Sequence, residues 1–319
     1  MTRTTGGDSA ARDALESHFD SYEVRGLLHE VPPHRTYEVT VDGTRSVCKV
    51  ATGPQGDPAT EARVLQFVDR ETAVQVPDVL AVGRDHFVAR WHDGVPQSAS
   101  LDDATARTMG AGLATLHGET TAAVDSYGRF VGSTVDADGT LGPGLGVETH
   151  DDWVDAVCAH LADVGDYLDR VGHGDVARAT VDCLRERPAL LDGTGEPVLC
   201  HGNYLPDHVG TADGRVTCVI DFEHALCGPP SYDVWRTLLP LRSDAGDCAA
   251  GAFRAGYESV RPLSDGFDRR ARVYEAVLTV SYLRSLYLQD QHDAETTRER
   301  AEWMREFVFD ALDELAGPS

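Results

Sequence analysis

Lysine is almost missing from this sequence: of its 28 basic residues only Lys49 is a lysine, and the rest are arginine. Bases of either kind are outnumbered by 53 acidic residues, for a formal net charge of −25. That balance argues against a nucleic-acid binder, which needs a basic face for the phosphates. Also missing are an apolar signal core at the start and any apolar run near the roughly 20 residues of a membrane span. A soluble, cytoplasmic protein without a membrane partner is therefore expected. The seven cysteines (Cys48, Cys158, Cys183, Cys200, Cys218, Cys227 and Cys248) are odd in number and never spaced as CxxC. They read as reduced thiols, not as a disulfide framework or a zinc site. No internal repeat is evident.

What is abundant is acid, spread along the whole chain. A disordered solvating segment does not explain it, because hydrophobic residues make up 41% of the sequence and recur with clear periodicity. Acid combined with an arginine bias resembles proteins of salt-accumulating halophiles, halophilic archaea above all. In such proteins an acidic surface holds water while salt screens its self-repulsion. A GC-rich genome contributes to the arginine bias as well.

The chain's pattern changes near residue 92. Residues 8–22 suit a short amphipathic helix. Thr36 to Val41 alternates, Asp42-Gly43 turns, and Arg45 to Ala51 continues in β-type residues, which predicts a hairpin. Asp57-Pro58 opens a helix with Val64, Leu65 and Val68 on its buried stripe. Val79 to Val82 and His86 to Trp91 read as strands. After Gly94 helical spacing takes over, at Leu101 to His117 and most clearly at Asp151 to Val171. Thr121 to Glu148 reads as glycine-rich and irregular. Val198 to Cys200 and Val216 to Phe222 read as short strands, and Arg269 to Leu288 and Thr296 to Leu315 as long helices. The expected fold is α+β and bilobal, with a sheet-rich N-lobe (residues 1–92) and a larger, mainly helical C-lobe (residues 93–319). A cleft between lobes is a common ligand site.

Polar residues cluster after the two late strands. His201-Gly202-Asn203 follows the first, with His208 five residues beyond Asn203, and Asp221-Phe222-Glu223 ends the second. Side chains on two adjacent strand ends would point at one place. A carboxylate pair there suits Mg²⁺, which prefers hard oxygen ligands and substrate phosphates. Taken alone, Asp221 and Glu223 read more readily as strand and turn caps.

They do not stand alone. VLCHGNYLPDHVG followed by VTCVIDFEHALCGPPSYDVW resembles the active-site segment of the aminoglycoside phosphotransferase family. That family is similar to choline kinases and, more distantly, to protein kinases. The resemblance implies a protein-kinase-like fold, ATP and Mg²⁺ as cofactors, and a small hydroxylated molecule as acceptor. Phosphoryl transfer needs a cation on the phosphates and carboxylates on the metal. Lys49 falls where the fold places its nucleotide lysine, and Glu61 where it places that lysine's partner. The rarity of lysine supports a specific need for a compact ammonium at this position. By resemblance, Asp221 holds the metal with Glu223 beside it, and His201 and Asp233 brace the loop. Backbone groups from Ala89 to Trp91 meet the adenine, and His117 packs. The first loop, Val31 to Thr36, lacks the glycines of a phosphate loop, which leaves Arg35 or Thr36 to contribute there.

Two positions depart from the family pattern. Asn203 stands at the catalytic aspartate and His208 at the metal-binding asparagine. An amide cannot act as a base, and general-base help is worth about 10²–10⁴ in rate. Asp207 is a nearby carboxylate offered as a substitute for either role. The leading expectation is an ATP-dependent phosphotransferase. The alternatives are a catalytically impaired nucleotide-binding protein with a regulatory role and, last, a scaffold that keeps only the fold.

Overall fold

The computed structural model describes residues 7–96, 101–132, 139–142 and 144–317. Its N-terminal part begins with α1 (Gly7–Glu16), then β1 (Tyr22–Val31), β2 (His34–Val41) and β3 (Thr44–Ala51), then α2 (Pro58–Glu71), β4 (Val79–Val82) and β5 (His86–Arg90). The strands form one antiparallel sheet in the order β1-β2-β3-β5-β4. The hairpin expected at Asp42-Gly43 is present. Both residues have positive φ, 47° and 77°, the conformation of a two-residue turn that matches the strand twist. β1 itself was not foreseen. Its first residues alternate as Tyr22-Glu23-Val24-Arg25, but Gly26 and the exposed Leu27 and Leu28 break the pattern.

Side-chain alternation on β3 positions the site. Cys48 and Val50 face a small core made with Tyr37, Val39 and the α1 residues Ala11, Ala14 and Leu15. Val47 and Lys49 project to the opposite face, and Val47 packs against the main core. On that side lies α2, begun by Asp57, whose carboxylate accepts from the Thr60 N–H at 3.1 Å, and by Pro58 in the first turn. Acid serves the same capping purpose at other helices: Asp102, Asp152 and Asp293 accept from Thr105, Asp155 and Thr296.

The C-terminal part runs through α3 (Asp103–Thr120), β6 (Tyr127–Gly132), β7 (Gly139–Gly142), β8 (Leu145–His150), α4 (Trp153–Asp169) and α5 (Gly174–Glu186). Then follow β9 (Val198–Cys200), β10 (Val209–Ala212), β11 (Arg215–Val219), β12 (Leu226–Gly228), α6 (Pro230–Asp244), α7 (Gly246–Glu258), α8 (Ala271–Gln289) and α9 (Ala294–Ala316). Two expectations need correction. Residues 121–148 are not irregular: three strands lie there, in a sheet ordered β7-β8-β6-β12-β9. Their short, glycine-interrupted segments gave too few alternating residues to read. Nor are the two late strands neighbours. β9 pairs with β12, and β11 pairs only with β10. The polar residues after β9 and β11 converge through their loops instead.

A sheet-rich N-terminal region and a helical C-terminal region thus form an α+β protein. No helix among the described residues is long and apolar enough to cross a membrane, and all seven cysteines are free.

Candidate active site

The loop after β9 is fixed from below by one buried carboxylate. Asp233, in the first turn of α6, is fully buried. Its oxygens accept from the backbone N–H of His201 at 2.7 Å and of Gly202 at 2.8 Å. His117 Nε2 donates to it at 3.1 Å, and His117 Nδ1 accepts from the Tyr257 hydroxyl at 2.9 Å. These donors hold the Asp233 carboxyl below its usual range although burial pushes it up. His117, on α3, is therefore a hydrogen-bonding link between α6 and α7 as well as a packing residue.

His201 closes the loop from above. Its Nδ1 accepts from the Asn203 N–H at 3.1 Å and its Nε2 donates to the Ile220 carbonyl at 3.0 Å. Those two bonds require the neutral ring. Burial pushes its pKa down to about 4. Gly202 has φ 76°, and a Cβ there would lie 2.1 Å from the His224 carbonyl, so a side chain is excluded.

Lys49 reaches across from β3 to this loop system. Its Nζ lies 2.7 Å from Glu61 Oε2, 2.7 Å from Asp221 Oδ1 and 3.1 Å from Glu223 Oε2. The ammonium is nearly buried, and burial would lower its pKa. Asp221, Glu61 and Glu223 more than reverse that and raise it well above the usual lysine value. The carboxylates respond unequally. Asp221 and Glu223 are held below their usual ranges, chiefly by Lys49 against the effect of burial. Glu61, the most buried, is pushed up to about 8 by burial and by its two acidic neighbours, against Lys49.

Asp221 follows β11 with φ 67°, a left-handed turn residue and not a strand residue. Its second oxygen lies 3.3 Å from His208 Nε2. His208 Nδ1 donates to the Asn203 carbonyl at 2.8 Å. The Asn203 side-chain amide makes no hydrogen bond to a described residue. Asp207 points outward, with 60% of its side chain exposed, and lies 3.7 Å from His208 Nε2.

The structure thus brings together Lys49, Glu61, Asp221, Glu223, His208 and Asn203, with His201 and Asp233 beneath them. Arg35 is not in this group, since it is ion-paired with Glu30 across the β1–β2 hairpin at 2.7 Å. Thr36 is paired in register with Lys49 on the adjacent strand. Ala89 is buried on β5, and the Trp91 ring stacks under Arg45 at 3.6 Å. The residue of the first loop that does reach the site is His34, which sequence reasoning missed. Its Nδ1 donates to Glu223 Oε2 at 2.7 Å, and its Nε2 is buried without a partner. The alternation of β2 was the available signal: His34 lies an even number of residues from Thr36, the register partner of Lys49, so it shares a face with it.

A nearly buried lysine paired to a helix glutamate and to a carboxylate after a late strand, above a loop anchored by a helix aspartate, is the arrangement that the resemblance to phosphotransferases implied. The chain belongs to the phosphotransferase enzyme family, whose model matches residues 33–273. Among characterised relatives it is 35% identical over 150 residues to a homoserine kinase of Gluconacetobacter diazotrophicus, a match spanning 44% of this chain and 46% of that one. This chain therefore aligns to less than half the length of the curated relative. The structure resembles aminoglycoside phosphotransferase APH(4)-Ia, whose ternary complex holds AMP-PNP and hygromycin B: TM-score 0.68, 22% identity, covering 97% of this chain and 100% of that one. It also resembles a macrolide 2'-phosphotransferase of Brachybacterium faecium: TM-score 0.56, 22% identity, covering 93% and 98%. A putative fructosamine-3-kinase of Thermobifida fusca gives TM-score 0.61 at 19% identity, covering 95% and 99%.

Proposed function

We propose that this protein is an ATP-dependent phosphotransferase that moves the γ-phosphate onto a hydroxyl of a small molecule. The observation that carries the reading is the contact of Lys49 with both Glu61 and Asp221. We place the functional boundary near residue 92, with the nucleotide held by residues 1–92 and the acceptor by residues 93–319. The relatives' names, which include kinases and phosphotransferases of quite different alcohols, support the reaction class and leave the acceptor open. The free cysteines agree with a reducing cytoplasm.

The residues fit a divalent metal. Asp221, Glu223 and Glu61 offer carboxylate oxygens within 4.8 Å of one another, around the Lys49 ammonium. Asp221 would hold Mg²⁺, with Glu223 or His208 beside it, and the ion would supply charge neutralisation on the phosphates. Lys49 would shift part of its charge to the nucleotide phosphates, and Glu61 would fix its position. Backbone groups from Ala89 to Trp91 would take the adenine, and His34 is better placed than Arg35 to line the phosphate side.

The new P–O bond forms as the bond to the departing diphosphate breaks. The acceptor's proton is released to water or to Asp207, since the Asn203 amide cannot take it. Asn203 instead orients the acceptor hydroxyl by hydrogen bonding. Electrostatic positioning supplies most of the rate in this chemistry, so loss of the base slows the reaction without abolishing it.

The test is calorimetry of ATP with Mg²⁺ in molar KCl, beside a phosphoryl-transfer assay over small alcohols. The reading expects binding, and slow transfer that disappears in Lys49→Ala and Asp221→Ala. Failure of ATP to bind overturns it. Binding without transfer to any alcohol would favour the impaired, regulatory reading.

A further inference from the structure

Glu223 is held by groups of the N-terminal sheet. Its Oε2 lies 2.7 Å from His34 Nδ1 on β2 and 3.1 Å from Lys49 Nζ on β3. Its Oε1 is 3.3 Å from Nε2 of its chain neighbour His224. Asp221 differs: besides Lys49, the group facing it is His208 of its own region, at 3.3 Å. Two of the carboxylates that fit a metal are thus oriented by different parts of the chain. Among the described residues, the His34 ring bonds to Glu223 and to nothing else.

That ring is firmly placed. His34 begins β2 and pairs in register with Val31 on β1 and Ala51 on β3, so its backbone is fixed from both sides. The residue is buried, at 6% exposure. Gly56, in the loop between β3 and α2, packs on the far edge of the ring. A Cβ there would lie 2.9 Å from Nε2 and 3.0 Å from the Ala51 Cβ, so this close approach needs glycine. Nε2 itself is buried without a partner. An unsatisfied buried nitrogen destabilises the fold, and an apolar side chain would fill the same space without that cost. What the imidazole supplies here, and an apolar residue could not, is the Nδ1 donor to Glu223.

We propose that His34 is a positioning residue of the metal site: by donating to Glu223 it lets the sheet set the carboxylate that takes a divalent ion beside Asp221. This rests on the phosphotransferase reading and selects Glu223, over His208, as the companion of Asp221. Mg²⁺ prefers a hard carboxylate oxygen to an imidazole nitrogen. Carboxylates that ligate a metal are themselves held by hydrogen bonds, and loss of such a partner typically costs about 10–100-fold in metal affinity. As the nucleotide phosphates draw on the charge of Lys49, His34 remains the donor that keeps Glu223 Oε2 in place. His34 acts through Glu223 and does not touch the reacting atoms.

The experiment uses the full chain in molar KCl, with Mn²⁺ as the probe ion and AMP-PNP as the nucleotide. Calorimetry reads AMP-PNP affinity without metal, and electron paramagnetic resonance reads Mn²⁺ affinity of the AMP-PNP complex. His34→Leu, which fills the ring's space without a donor, should weaken Mn²⁺ binding about tenfold or more, while metal-free AMP-PNP binding stays within about twofold. His34→Asn, whose amide nitrogen stands near the place of Nδ1, should recover Mn²⁺ affinity to within about threefold of the unmutated protein. In a Glu223→Gln background, His34→Leu should add no more than about twofold, because the two residues share one effect. His34→Gln, which moves the donor toward the place of Nε2, replaces the leucine variant if that one does not fold. The proposal is overturned if loss of the donor leaves Mn²⁺ affinity unchanged, if His34→Asn recovers nothing, or if the loss persists in Glu223→Gln. Equal weakening of AMP-PNP without metal would mark a direct phosphate contact and overturn it too. Failure of AMP-PNP to bind the unmutated protein would instead defeat the phosphotransferase reading, so the two failures are distinct.

Discussion

Lys49 and Asp221 are 172 residues apart in the chain and 2.7 Å apart in space. Their contact joins the sheet that would carry the nucleotide to the loop that would carry the metal. The only lysine of the sequence is spent on it, with Glu61 and Glu223 completing its surroundings.

Lys49→Ala leaves three carboxylates facing one another in a nearly buried site. Breaking a buried ion pair by removing one partner costs about 3–5 kcal/mol. The variant should melt markedly lower by calorimetry and lose measurable ATP binding. Lys49→Arg should not restore binding, because a planar guanidinium is too wide for three carboxylates that converge on one nitrogen.

Asn203→Asp introduces a base where the amide now stands. If the site lacks only this group, kcat should rise by about 10²-fold, with KM for ATP little changed. Initial rates over matched enzyme concentrations check this. A kcat that is unchanged or lower would show that the loop is arranged around the amide.

Asp233→Ala removes the acceptor of two backbone N–H groups and of His117, all buried. A loss of about 3–5 kcal/mol is expected, as for a buried charged partner. Urea denaturation should show an earlier midpoint. Turnover of the folded fraction should also fall, because the loop bearing Asn203 loses its anchor.

His201 is held neutral by burial and by the Asn203 N–H on its Nδ1, with a folded pKa of about 4. Its unfolded value is near 6.5. Between these two values the unfolded chain binds the extra proton, so stability is full above pH 6.5 and falls as pH drops toward 4. The loss from this group reaches up to about 3 kcal/mol. Urea midpoints between pH 7 and 4.5 should follow this slope, and His201→Gln should flatten it.

A net charge of −25 repels itself at low ionic strength. Raising KCl from 0.1 M to 2 M should therefore raise the melting temperature, because exposed charges more than about 3 Å apart are then screened. A melting temperature independent of KCl would remove the halophilic reading of the composition.

The sequence by itself determined the local features whose causes are local. Asp42-Gly43 specified a hairpin turn because both positions need positive φ, and Asp57-Pro58 specified a helix start because the cap and the first turn are chemical requirements. The motif around His201 and Asp221 carried the resemblance to a phosphotransferase family, and the chain belongs to the phosphotransferase enzyme family. Only the tertiary structure decided what depends on distant segments meeting. It showed that β9 pairs with β12 and not with β11, a pairing that short apolar strands cannot encode by alternation. It placed His34 on Glu223 and directed Arg35 to Glu30. Ion pairing depends on which side chains the fold brings within about 4 Å, and that distance is set by packing between helices far apart in the sequence.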